Sequence, residues 1–184
     1  MITEKKCSIL KQWPLIRERY DHWIAFMEKN VTFSLEDSFI HTKLHCARVL
    51  LYALAIGKQM DLSNEDLDAL GAAAVFHDTR RHDDWLDVGH GQRAAEYYET
   101  FCQVENMAFD KRTYLIMAFH DRDDSYGIEA MENEGFAKGV LLYQIFKDAD
   151  ALDRLRLGAA ALDVNMLRTE EAVALVGFAK QIMG

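Results

Sequence analysis

A single proline, Pro14, is the feature that most restricts how this 184-residue chain can fold. Proline and glycine end helices and form tight turns, and the chain has only ten glycines. No segment of useful length alternates apolar and polar residues as a half-buried strand does. Half of the residues are hydrophobic, which is enough for the core of one domain over residues 1–184. The sequence therefore predicts an all-α, single-domain helical bundle.

Helix start and stop signals predict where these helices lie. Ser34 and Ser63 each precede acidic residues, the pattern of an N-cap followed by a first turn that suits the helix dipole. Gly57 is expected to end the helix that Ser34 begins. The polar stretch 77–89 is predicted to be a loop. The expected helices cover about 9–28 (with Pro14 in the first turn), 34–57, 63–76, 90–102, 110–120, 137–157 and 169–182.

The charge of the chain bears on its partners. Thirty acidic residues against 21 basic ones give a formal net charge of −9, which disfavours a nucleic-acid polymer as ligand. A small phosphorylated ligand stays compatible, because a bound metal ion reverses the charge locally.

The cysteines and the apolar segments predict the location. Cys7, Cys46 and Cys102 are odd in number and lack CxxC spacing, so neither a disulfide framework nor a zinc knuckle is expected. No window has the length of a membrane span, and the N-terminal residues lack the apolar stretch of a signal peptide. We expect a cytoplasmic protein without a membrane partner. It would be a monomer or a homodimer, and internal packing of the last helix is favoured.

Three segments carry the residue types that bind metals. His41, His45, Arg48 and Tyr52 are spaced four, three and four residues apart, so they would share one face of a helix. Two imidazoles one turn apart can aim at one point, although a solvated or core-satisfied pair would show the same spacing.

The dipeptide His77-Asp78 follows the apolar run 70–76, so both side chains would emerge at the edge of the core. A buried imidazole and carboxylate must be paired or bind a metal, because leaving them bare costs several kcal/mol. An ion pair between the two is the simpler alternative.

The third segment carries Asp148, Asp150 and Asp153 after an apolar run. A carboxylate cluster against the core requires a cation. The alternative is a salt bridge to Arg154 or Arg156, expected for Asp148 or Asp153.

Four histidines therefore remain outside these three segments. His90 and His120 lie near predicted helix ends, His82 is expected to be exposed, and His22 stands apart.

The ordered set of these segments resembles the HD superfamily of metal-dependent phosphohydrolases over residues 36–155. The matching segments are His45-Cys-Ala-Arg48-Val49, Ala74-Val-Phe-His77-Asp78 and Asp148-Ala-Asp150-Ala-Leu. The resemblance implies an all-α bundle around a metal held by His45, His77, Asp78 and Asp150, with His77 and Asp78 as the catalytic pair. Asp150 is preferred to Asp148 because the family aspartate follows Ala and precedes an x-Leu step.

The additional histidines resemble those of the two-metal branch of that superfamily. By this resemblance His90 and His120 would bind a second ion and Asp78 would bridge the two. The cofactor is expected to be one or two divalent ions of Mn, Fe, Co, Ni or Mg. His41, Arg48 and Arg81 are the expected substrate-binding residues, since a guanidinium matches phosphate oxygens.

The expected reaction is hydrolysis of a nucleotide or another small phosphoester by a metal-activated water. The segment 79–83 lacks the Glu-Asp pair of (p)ppGpp hydrolases, Arg81 stands where the deoxynucleotidases carry Glu, and no Gly-Tyr-Pro motif is present. Two alternatives stay open: a di-iron oxygenase, which uses the same ligands, and a non-catalytic metal- or nucleotide-binding module.

Overall fold

The protein is described by a computed structural model that covers residues 14–35, 38 and 40–183. This part of the chain is all-α, as predicted, with eight α-helices and two short 3₁₀ turns. The helices are α1 Pro14–Asn30, α2 Lys43–Gln59, α3 Asn64–Phe76, α4 His90–Val104, α5 Lys111–Phe119, α6 Asp124–Asn133, α7 Gly139–Asp153 and α8 Glu170–Met183. The 3₁₀ turns are Arg154–Leu157 and Val164–Met166. Residues 9–13 of the first predicted helix lie outside the described residues.

Helix α2 forms the centre of the bundle. It packs against α1, α3, α7 and α8, and its residues from His45 to Gly57 are almost all buried. Gly57 was expected to end this helix, but it lies inside it. A Cβ there would come within 2.7 Å of the Leu67 side chain, so glycine allows α2 and α3 to approach closely. The carboxyl end of α3, with its His-Asp pair, is thereby fixed beside the first turns of α2.

The predicted start of α2 at Ser34 is wrong. The helix begins at Lys43, and Thr42 caps it by accepting a hydrogen bond from the amide of His45. The amide of Ser34 instead donates to the carbonyl of Thr79 at 2.9 Å, which joins this segment to the loop after α3. His41 consequently precedes the helix and does not share a helical face with His45.

Several local predictions are confirmed. Ser63 caps α3, and the helix predicted over 169–182 is α8, in whose first turn Thr169 accepts a hydrogen bond from the amide of Ala172. Pro14 occupies the first turn of α1. The predicted helix 137–157 is shorter, because α7 ends at Asp153 and passes into a 3₁₀ turn. Helix α6 was not predicted.

The remaining features agree with a packed core. Cys46 and Cys102 are buried free thiols, and Cys7 lies outside the described residues. The apolar side of α8, formed by Ala172, Leu175 and Ala179, packs inside the bundle, where α8 contacts α2 and α7. Among the helices described, none is long and apolar enough to cross a membrane.

Candidate metal centre

Asp78 lies at the centre of a cluster of histidines drawn from separate parts of the chain. Its Oδ2 atom is 2.7 Å from His41 Nδ1 and 3.4 Å from His45 Nε2. Its Oδ1 atom is 3.0 Å from His90 Nε2 and 3.8 Å from His120 Nε2. The two carboxylate oxygens therefore face two different sets of imidazoles, which is the arrangement that a bridging carboxylate requires.

His45, His77 and Asp150 lie on the Oδ2 side of Asp78. The Nε2 atoms of His45 and His77 are 3.1 Å apart, and His45 Nε2 is 3.4 Å from Asp150 Oδ1. The alternative prediction was an ion pair between His77 and Asp78. These two side chains are not in close contact, because His77 Nε2 is 3.9 Å from Asp78 Oδ2. All four residues come from the start of α2, the end of α3 and the last turns of α7.

The other ring nitrogens fix the tautomers of these two histidines. His77 Nδ1 donates to the carbonyl of Ala74 at 3.0 Å, and His45 Nδ1 donates to Asp153 Oδ2 at 2.8 Å. Nδ1 therefore carries a proton in both rings, and both Nε2 atoms point into the cluster. In the metal-free protein the raised pKa of His45 places a second proton on its Nε2, 3.1 Å from His77 Nε2, and a metal ion would replace that proton.

This arrangement fits a bound cation. Two imidazole nitrogens and the oxygens of Asp78 and Asp150 lie close together where water cannot compensate, so a proton or a metal ion must lie between them. Imidazole nitrogens with carboxylate oxygens are ligands of divalent first-row metals. The buried group around Asp78 can therefore hold a metal ion.

His90 and His120 show the same pattern on the Oδ1 side. His90 Nδ1 donates to the carbonyl of Asp87 at 2.6 Å and His120 Nδ1 to that of Met117 at 2.7 Å. Their Nε2 atoms are 2.9 Å apart. The structure thus brings the two additional histidines to the cluster, whereas His82 is exposed as predicted.

The cluster shifts the pKa values of its members in opposite directions. Burial alone would lower the pKa of His45, but hydrogen bonds to Asp150, Asp153 and Asp78 raise it to about 10. Burial lowers the pKa of His77 to about 3. Burial alone would raise the pKa values of Asp78 and Asp150, and the neighbouring histidines hold both below the usual range.

These shifts fix the sign of the pH dependence in the metal-free protein. The raised pKa of His45 gives stability that is complete below 6.5, the ordinary value, and is lost as pH rises towards 10. His77 has the opposite effect. Its lowered pKa destabilises the fold as pH falls from 6.5 towards 3, because the unfolded chain then binds a proton that the folded chain does not. The two histidines together favour maximal stability near pH 6.5.

Arg48 was an expected substrate-binding residue, but it does not line the cavity beside the cluster. Its Nε and Nη2 atoms donate to the two oxygens of Asp153 at 2.5 and 2.9 Å. Asp153 is completely buried, and Arg156 Nη1 lies 3.4 Å from it. Arg48 therefore fixes the carboxylate that orients His45. The sequence partly indicated that Asp153 lies near the cluster, because Asp153 is one helical turn from Asp150.

Asp148 has a separate, structural role. It is also completely buried, and its oxygens accept hydrogen bonds from the amides of Arg168 and Thr169 and from the Thr169 hydroxyl. Its salt-bridge partner is Arg168 at 3.1 Å, whereas the predicted salt bridge to Arg154 or Arg156 is formed by Asp153, which lies 3.4 Å from Arg156. Asp148 joins α7 to the start of α8, and the preference for Asp150 as the cluster residue agrees with this geometry.

The cluster opens into a cavity of about 750 Å³. His41 and Arg81 line it, as predicted for substrate-binding residues. Counting Arg81, the cavity has equal numbers of cationic and carboxylate side chains. The cations are Arg81, Arg122, Lys147, Arg154, Arg156 and Arg168, and the carboxylates are Asp78, Asp84, Asp87, Asp121, Asp150 and Asp163. Apart from its histidines, the cavity is therefore close to neutral within a chain of net charge −9.

Asp121 is one of the cavity residues that were not predicted from the sequence. Its Oδ2 accepts a hydrogen bond from the amide of Gly89, and its buried Oδ1 has no hydrogen-bond partner among the described residues. It follows His120 directly, so it forms the third His-Asp pair in the sequence, after His77-Asp78 and His82-Asp83. The sequence alone does not distinguish it from the exposed pair at His82.

Comparisons with protein-family models, with curated proteins and with solved structures found no match to this chain.

Proposed function

We propose that this protein is a metal-dependent phosphohydrolase of the HD type, acting on a nucleotide or another small phosphoester. The observation that carries the proposal is the buried cluster in which His45, His77, Asp78 and Asp150 converge beside a cavity. The order of these residues along the chain, described above, is the second support.

A divalent ion held by the four residues would lower the pKa of a coordinated water and offset charge on phosphoryl oxygens. The charges of the cavity suit this role. Its six cationic and six carboxylate side chains balance, so a divalent ion gives the cavity a positive excess, which favours a phosphorylated ligand.

Residues that line the cavity can bind the substrate. The carboxylates of Asp84 and Asp121 already accept hydrogen bonds, from Ser38 Oγ at 2.5 Å and from the amide of Gly89. Arg154 is exposed, and in the described structure only its Nε has a hydrogen-bond partner, the carbonyl of Ala161. Its terminal nitrogens therefore suit phosphate oxygens.

The size of the cavity supports a substrate larger than a simple phosphate. About 750 Å³ is within the range of pockets that enclose whole small-molecule ligands. Trp85 and Leu86 line it and are 84% and 91% exposed, which leaves an apolar surface for a nucleobase or another non-polar group.

The same six-residue set would also suit a di-iron oxygenase, because His90 and His120 approach the second oxygen of Asp78. The two activities consume different reactants, so one experiment separates them. An oxygenase takes up dioxygen with iron bound and releases no phosphate under nitrogen, whereas a hydrolase is indifferent to dioxygen.

The test is phosphate release from a panel of nucleotides and phosphoesters by metal-stripped protein reconstituted with Mn, Co, Ni, Mg or Fe. We expect metal-dependent release by the wild type and its loss in Asp150→Asn, because a ligand is removed. Asp61→Asn is the matched control, since this exposed carboxylate follows the far end of α2. A folded, metal-loaded protein that hydrolyses nothing in the panel would contradict the proposal.

A further inference from the structure

We infer that the guanidinium of Arg81 occupies the place of a second metal ion, so that this protein binds one ion and not two. The inference rests on the metal centre proposed above and concerns the Oδ1 side of Asp78. There, Arg81 Nη1 is 3.1 Å from His90 Nε2 and 3.5 Å from Asp78 Oδ1.

Arg81 lies against the ring of His90. His90 Nδ1 donates to the carbonyl of Asp87, so Nε2 is the nitrogen that a second ion would use. Arg81 Nη1 is 3.2 Å from His90 Nδ1 and 3.1 Å from Nε2, so the guanidinium covers the imidazole where that ion would approach. It also brings a permanent positive charge to Asp78 Oδ1, the oxygen that would bridge to a second ion.

The guanidinium is held in place from its other side. Nε donates to the carbonyl of Asp83 at 3.1 Å, and Nη2 donates to the carbonyl of Trp85 at 2.6 Å. The loop that supplies these carbonyls is itself tied, since Asp87 accepts hydrogen bonds from the His82 amide and from Arg93. Arg81 is 5% exposed, so little space is left for an alternative position.

Charge and geometry therefore both disfavour a second ion. A divalent ion between His90, His120 and Asp78 Oδ1 would lie within a few ångström of a fixed cation, and like charges repel strongly in a buried site. Among the described residues no guanidinium contacts the Oδ2 side, where a metal ion would displace only the proton of His45. Sequence reasoning assigned Arg81 to the substrate, but its nitrogens are directed at the protein.

The first measurement is the Mn content of the reconstituted full-length protein after removal of free metal, with the electron paramagnetic resonance spectrum of the same sample. We expect one Mn per chain and the spectrum of isolated ions. Two Mn per chain with a spin-coupled spectrum would overturn the inference. Absence of bound Mn would instead contradict the metal centre of the proposed function, so the two failures are distinguishable.

The second measurement uses Arg81→Ala, which removes the cation and exposes His90, His120 and Asp78 Oδ1 to metal. We expect this variant to bind two Mn per chain. Arg80→Ala is the matched control and should bind one, because Arg80 donates to Thr32 and stacks on Tyr97 away from the cluster. A folded Arg81→Ala protein that still binds one ion would refute the inference.

A third variant keeps the test valid should Arg81→Ala fail to fold. In His90→Ala the expected Mn content and Mn affinity are those of the wild type, because the single ion is held on the Oδ2 side. A loss of bound Mn in this variant would show that His90 is a metal ligand and would overturn the inference.

Discussion

Replacing Asp153 with asparagine tests whether this buried carboxylate orients the metal-binding His45. Asp153 Oδ2 accepts the Nδ1 proton of His45 at 2.8 Å, which leaves Nε2 as the ligand atom. In Asp153→Asn the amide nitrogen can face the ring and compete for that position. The imidazole then loses the partner that fixes its tautomer and its orientation.

Two separate effects are expected. Loss of an outer partner of a ligating histidine weakens metal binding by about 10–100-fold, or about 1.4–2.7 kcal/mol. The free energy of unfolding falls as well, because Arg48 and Arg156 lose a buried counter-charge. We expect about 3 kcal/mol, the lower part of the range for a broken buried pair, since both arginine side chains keep some contact with solvent.

Asp148→Asn separates the two effects. Asp148 is as completely buried as Asp153 and lies on the same helix, but its partners are Arg168 and Thr169. We expect a comparable loss of stability without a change in Mn affinity. Isothermal titration with Mn and urea denaturation of both variants provide the two readouts. Wild-type affinity in Asp153→Asn, or an equal loss of affinity in Asp148→Asn, would refute the orienting role.

The helices that the sequence predicted correctly are those whose signals are local. Ser63 caps α3 through an amide three residues away, and an N-cap of this kind depends on neighbouring residues alone. Ser34 carries the same signal, yet its amide is bonded to Thr79, 45 residues further along the chain. Whether such a serine caps a helix or bonds to a distant loop depends on tertiary contacts. The start of α2 could therefore not be predicted from the sequence.

For the candidate site, too, the sequence predicted which residues come together but not all of their contacts. The order of His45, His77, Asp78 and Asp150 could be read from the sequence, and the fold does bring them together. The partners of the arginines could not be read in that way, because a guanidinium reaches over several ångström and pairs with whichever carboxylate or carbonyl the tertiary structure presents. Arg48 therefore lies against Asp153 rather than in the cavity.

Two further predictions concern stability, and urea denaturation measures both. Gly71→Ala should destabilise the protein by about 1–3 kcal/mol, because its Cβ would overlap the indole of Trp23. Gly177→Ala, in open space on α8, should instead stabilise it by about 0.5–1 kcal/mol, and equal effects would contradict this packing. The metal-free protein should lose stability as pH rises from 6.5 towards 10, because His45 then loses the proton that offsets the surrounding carboxylates. Saturating Mn should abolish that loss, since the ion replaces the proton, and the same decline with and without Mn would show that His45 does not bind the ion.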